Sequence, residues 1–104
     1  MASYRVEVSE PAENDLREII RYISLQLSAP ATALKMLDSI ESAIAKLSGM
    51  PKGHPLVNDD RLSQMGYREL IVKNYIVFYT INETEKVIDV ERILHTRRDW
   101  LSIL

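Results

Sequence analysis

No cysteine occurs among the 104 residues, and that absence excludes disulfide staples, thiolate chemistry and cysteine-based zinc sites together. It also fits a reducing compartment. Glycine numbers only three and proline four, and there is no repeat, no low-complexity tract, no linker and no glycine-rich phosphate cradle. No apolar run is long enough to cross a membrane. The first residues are polar and alternating, unlike a signal peptide or an anchor, so the expectation is a cytoplasmic protein with no membrane partner. An excess of positive charge is missing too: 13 Lys and Arg face 15 Asp and Glu, for a net charge of −2. The molecule as a whole therefore does not attract nucleic acid, and any role on RNA or DNA needs a local cluster of cations.

What is present is the material of a single domain over residues 1–104. The composition is 46% hydrophobic and 27% charged, which is globular and buries a real core with a thin margin of stability. Tyr4, Val6 and Val8 alternate with polar neighbours, the period of a half-buried strand. Leu16, Ile19, Ile20, Ile23 and Leu27 then recur at helical spacing. Ser9 stands as N-cap, Glu10 and Glu13 lie at the positive end of the helix dipole, and Pro11 falls in the first turn. Ser28, Ala29 and Pro30 break the run. Leu34, Leu37, Ile40, Ile44 and Leu47 make a second helix, with Gly49 as C-cap and Pro51 as stop. So short a link folds the two helices into an antiparallel hairpin. Residues 50–66 read as a loop with an irregular turn. Three strands follow, over residues 68–73, 75–81 and 87–94, with Asn74 as the left-handed residue of the tight first turn. Residues 96–104 form a short helix or an edge segment. The order β-α-α-β-β-β makes an α+β fold, its helical hairpin packed on one face of a mostly antiparallel four-stranded sheet.

That order names no function, but its details do. Residues 12–23 (AENDLREIIRYI) resemble the first helix of ParE-type toxins. Residues 93–100 (ILHTRRDW) resemble the closing ILHxRxD motif of the same group, and YREL at 67–70 with NYIVFY at 74–79 is similar to its central hairpin. The likeness to the RelE/ParE superfamily of toxins runs over residues 4–100. It implies a bacterial growth-inhibiting toxin of a toxin–antitoxin, or plasmid-stabilisation, module, held silent by a cognate antitoxin and needing no cofactor. ParE-like members poison DNA gyrase; RelE-like members cut mRNA on the ribosome. An inert antitoxin-binding module is a third implied possibility.

Cleavage of RNA without a metal needs a base, an acid and cations around the phosphorane. By the resemblance, His95 aligns with the acid/base histidine of some RelE-like nucleases and Arg97 with a phosphate-stabilising arginine. Arg68 and Lys73 add charge from the neighbouring strand. The blander reading makes His95 and Arg97 a structural corner with Asp99 paired to an arginine. Two features favour the ParE-like branch. Ile76 stands where RelE-like enzymes carry an arginine. Alternation along the last strand also puts Asp89 and Glu91 on the face of His95 if Ile88, Val90 and Leu94 face the helices. Tyr67, Tyr75 and Tyr79 read as packing residues, and Met36, Met50 and Met65 as packing or loop residues. Trp100 reads as the cover of a core edge. His54 has no ligand-spaced companion, so no metal is expected. With a net charge of −2, the partner is expected to use mainly apolar contacts on the helical hairpin or the open sheet face.

Overall fold

The computed structural model describes residues 3–104. Strand β1 (Arg5–Val8) leads into helix α1 (Glu10–Arg21), which widens into a π-helical turn over Tyr22–Gln26; α2 (Pro30–Lys46) returns beside it. A single 3-10 turn (Pro51–Gly53) and a short helix α3 (Asp60–Gln64) precede strands β2 (Arg68–Val72), β3 (Tyr75–Asn82) and β4 (Val87–His95), and α4 (Trp100–Ile103) closes the chain. The sheet order is β1-β4-β3-β2. β1 runs parallel to β4, and the other pairings are antiparallel.

The local signals act largely as read. The Ser9 hydroxyl accepts the N–H of Ala12 at 3.1 Å, supplying one of the donors that a helix start leaves without partner. The reversal between the helices is carried by Ser28, which takes φ 50°. Two boundaries differ. α2 ends at Lys46 with Leu47 as its cap, so Gly49 lies beyond the cap. In the first hairpin Lys73, not Asn74, takes the left-handed backbone, with φ 55°; it belongs to the turn and not to β2. A two-residue hairpin loop needs a positive φ to match strand twist, and here the first loop position provides it.

Both faces of the sheet are covered, which explains why Tyr75 to Tyr79 are buried without alternation. On one face Leu70, Val72, Val77, Tyr79, Ile88, Val90 and Ile93 pack against Ala12, Ile40, Ile44 and Leu47 of the helical hairpin. On the other, Ile76, Phe78 and Leu94 form a smaller core with Val57 and Leu62, edged by Trp100, Ile103 and Leu104. The loop over residues 50–66 therefore builds the second core, joined to β2 through the bridge between Leu56 and Arg68. Trp100 lies 5.4 Å from the Phe78 ring, covering the core edge. Met36 packs at the first core, whereas Met50 and Met65 are exposed.

Candidate functional site

The arrangement around β4 follows from a mismatch of lengths. β1 ends at Val8, opposite Val90, which leaves the last five residues of β4 with an unpaired edge. The start of α1 seals it. The N–H of Ser9 donates to the Val90 carbonyl at 3.0 Å, and its hydroxyl donates to the Glu91 carbonyl at 2.8 Å. The Asp15 carboxylate accepts the N–H of Ile93 at 3.0 Å and takes the Arg92 guanidinium through two bonds of 2.7 and 2.8 Å. Planar, bidentate pairing of this kind is charge-assisted and directional. The Asp15 bond holds the Arg92 guanidinium above its ordinary pKa, against the opposing effect of burial.

A β-bulge lies at the same place. Phe78 opposes Arg92 and Tyr79 opposes Val90, so Glu91 has no counterpart on β3. One extra residue exchanges the faces of everything beyond it. Asp89 and Glu91 consequently line a cleft on the second face with Thr80 and Tyr67, where the Thr80 hydroxyl donates to Glu91 at 2.9 Å. His95 lies on the helical face instead. This corrects the expectation that the two carboxylates flank His95, which rested on unbroken alternation. It also corrects the placing of Leu94, which packs in the second core and not toward the helices.

His95 ends β4 directly opposite Tyr75, their rings edge to face at 5.3 Å. The backbone N–H of Arg97 donates to His95 Nδ1 at 3.0 Å, so the neutral ring carries its proton on Nε2. A cleft of about 520 Å³ opens beside it, walled by Glu18, Ile19 and Tyr22 of α1, by Asn74 and Tyr75, and by Arg98. Burial raises the Tyr75 phenol above its ordinary pKa, with the nearby Tyr22 adding to the shift. Lys73, in the turn beside Asn74, and Arg97, in the turn after His95, are exposed at this same end of the sheet.

Arg68 is not brought to this group. It opposes Tyr79, four residues along β3 from the Tyr75–His95 pair, a separation of about 13 Å at the rise of a strand. There its guanidinium donates to the His54 carbonyl at 2.7 Å, and the His54 ring meets Tyr79 edge-on at 6.4 Å. The Tyr79 hydroxyl donates to the Pro51 carbonyl at 2.6 Å; burial raises its pKa, opposed by Arg68. Among the described residues no cluster of three or more potential ligands is placed to hold a metal ion. Nor is any helix among them long and apolar enough to cross a membrane.

Three residues of the His95 cleft carried little signal in the sequence. Tyr22 lies off the apolar stripe of α1 and opens the π-helical turn; Tyr22, Leu25 and Leu27 are between 53% and 68% exposed. Asn74 read as a turn former, and Arg98 entered only as part of the ILHTRRDW stretch. A second concavity, about 670 Å³, lies between α1, α2 and β1. It is walled by Val6, Val8, Leu16, Ile20, Leu37 and Ile44, with Glu13, Arg17 and Glu41 at its rim.

Comparison with known proteins supplies the family context. Residues 6–100 match the family described as the ParE toxin of type II toxin-antitoxin system, parDE. Among solved structures, the chain is similar to one of the chromosomal ParDE toxin–antitoxin system from P. aeruginosa. The TM-score is 0.71 at 19% identity, covering 89% of this chain and 96% of that one. It is also similar to a chain of the RelBE2 toxin–antitoxin complex from Mycobacterium tuberculosis, with TM-score 0.63, 18% identity and coverage of 90% and 99%. No curated protein matches the sequence. At these identities the structural likeness speaks for the fold, while the match over residues 6–100 carries the family.

Proposed function

The chain belongs to the ParE toxin family of type II toxin–antitoxin systems, and from that premise we propose that it arrests growth by binding a protein target such as DNA gyrase. On this reading it acts in the cytoplasm, serves a plasmid-stabilisation or chromosomal addiction module, and is silenced by a cognate antitoxin. The observation that carries the reading is the family match over nearly the whole chain. The geometry supports it by what it keeps apart. Ile76, where a nuclease of the superfamily would offer an arginine, is buried in the second core, and Arg68 is tied to His54 on the far side of β3 from His95, displaced by about 13 Å along the strand direction alone. The apolar concavity between α1 and α2 suits the antitoxin, whose contacts there would be largely insensitive to salt.

The second reading is a ribosome-dependent endoribonuclease, and one observation favours it. His95 presents a protonated Nε2 at an end of the sheet that also carries Lys73, Arg97 and Arg98, the local cationic cluster that a phosphate-directed reaction needs. Here His95 serves as acid/base and Lys73 and Arg97 as stabilisers, with Arg68 acting only if it leaves His54.

The separating experiment follows labelled thymidine and labelled amino acid incorporation within minutes of inducing the toxin alone. Thymidine incorporation falling first supports the gyrase-directed reading, and His95→Ala then leaves toxicity intact. Amino-acid incorporation falling first, with toxicity lost in His95→Ala, supports the nuclease. Unchanged growth reduces the chain to an antitoxin-binding module.

A further inference from the structure

The cleft at the His95 end offers donors that the fold itself leaves unused. Tyr75 is only 8% exposed, yet its hydroxyl is neither sealed in the interior nor bonded there: it opens into the cleft. Tyr22 brings a second phenol from α1, and Asn74 a side-chain amide. His95 adds an N–H at Nε2, fixed by the bond that Nδ1 accepts from Arg97, and Arg98 adds a guanidinium. These five donors line one solvent-open space, and a single acceptor placed there would engage several of them.

The charges agree. Of the two carboxylates on the wall, Asp15 is bonded to Arg92 and to the N–H of Ile93, and Glu18 lies within the influence of the Arg92 charge. Against these two stand Arg92 and Arg98, with Lys73 and Arg97 on the flanking turns outnumbering the one carboxylate there, Asp99. This end is therefore locally positive in a chain of net charge −2. The cleft has an apolar side: Leu27 lines it and is 55% exposed, and Leu25, two residues before it and beside the adjoining concavity, is 68% exposed. A nucleic acid would have to bring a row of phosphates past Glu18 and against the exposed apolar side chain of Leu27, which offer them nothing.

We propose that this cleft receives one carboxylate side chain, an aspartate or glutamate borne on an apolar stretch of a partner polypeptide. Its oxygens are held by the Tyr75 hydroxyl, His95 Nε2 and Arg98, while the flanking apolar residues cover Leu25 and Leu27. The inference rests on the toxin reading only in taking that partner to be the antitoxin.

The test uses the isotope-labelled full chain and three probes: acetyl-Leu-Glu-Leu-Leu-amide, its glutamine analogue, and a 2′-O-methyl RNA oligomer. The glutamyl peptide should shift the resonances of Asn74, Tyr75 and His95. Its affinity should fall about tenfold, equivalent to about 1.4 kcal/mol, with the glutamine analogue, and likewise in Tyr75→Phe and in the exposed variant Arg98→Gln. Equal binding of both peptides, shifts at these residues from the RNA oligomer, or no shifts from any probe would each overturn it. Peptide binding is read on purified protein, so its failure leaves the toxin reading standing, and loss of the toxin reading leaves the peptide result intact.

Discussion

Replacing Asp15 with alanine tests whether one side chain fastens α1 to the unpaired end of β4. Asp15 is 11% exposed and Arg92 27%, so neither charge is fully screened, and the carboxylate accepts three hydrogen bonds at once. A bond to a charged group contributes about 1.5–3 kcal/mol, and the three share one carboxylate, so their contributions do not sum. The expected loss for Asp15→Ala is about 3 kcal/mol, part of it from the Ile93 N–H left without a partner. For a domain of this size, at roughly 4–8 °C per kcal/mol, Tm should fall by about 12–24 °C. Arg92→Met leaves the Ile93 bond in place and should cost about half as much. The assay is urea unfolding and thermal melting of the two single variants and the double, read as a double-mutant cycle. Glu7→Ala is the control: its pair with Arg5 has side chains 53% and 66% exposed, and such pairs move stability by about 1 kcal/mol or less. If Asp15→Ala costs no more than Glu7→Ala, or if Asp15 and Arg92 prove additive, the clamp argument is wrong.

Two other outcomes are expected. Phe78 is fully buried in the smaller second core, so Phe78→Ala should lose about 3–5 kcal/mol and increase exposure of Trp100, visible in its fluorescence; a loss below 1 kcal/mol would mean that the second face is not a packed core. Burial raises the pKa of Tyr67, Tyr75 and Tyr79, and for Tyr67 the charge of Glu91 adds to it. Because these folded-state values exceed the unfolded one, their contribution is fully present below pH 10 and is lost as pH rises through the folded values. Chemical unfolding across pH 8–12 should show stability falling only above about pH 10, with the ring signals of these three tyrosines unchanged below it.

The two helices, the hairpin order of the last three strands and the Ser9 cap were legible because each depends on near neighbours. Periods of two and 3.6 residues, a capping hydroxyl and a proline in a first turn act over a few residues and need no partner elsewhere. The family likeness was legible for a related reason: residues 12–23 and 93–100 are each short contiguous stretches, which in the fold meet at the seam between α1 and β4. What the sequence could not show depended on comparing segments far apart in the chain. Glu91 becomes an unopposed bulge residue only because Arg92 and Val90 align with Phe78 and Tyr79, and that single insertion moved His95 to the helical face, away from Asp89 and Glu91. Arg68 and His95 both lie in the closing hairpin region, yet antiparallel pairing sets Arg68 opposite Tyr79 and His95 opposite Tyr75, four residues apart along β3 and on its two sides. Tyr75 read as packing, and its ring does pack; only the position of α1 left its hydroxyl facing an open cleft. Sequence thus determined which elements form and which family they belong to, since local free energies are set by local residues. Register and length mismatch, which exist only between strands once paired, decided which side chains share a site.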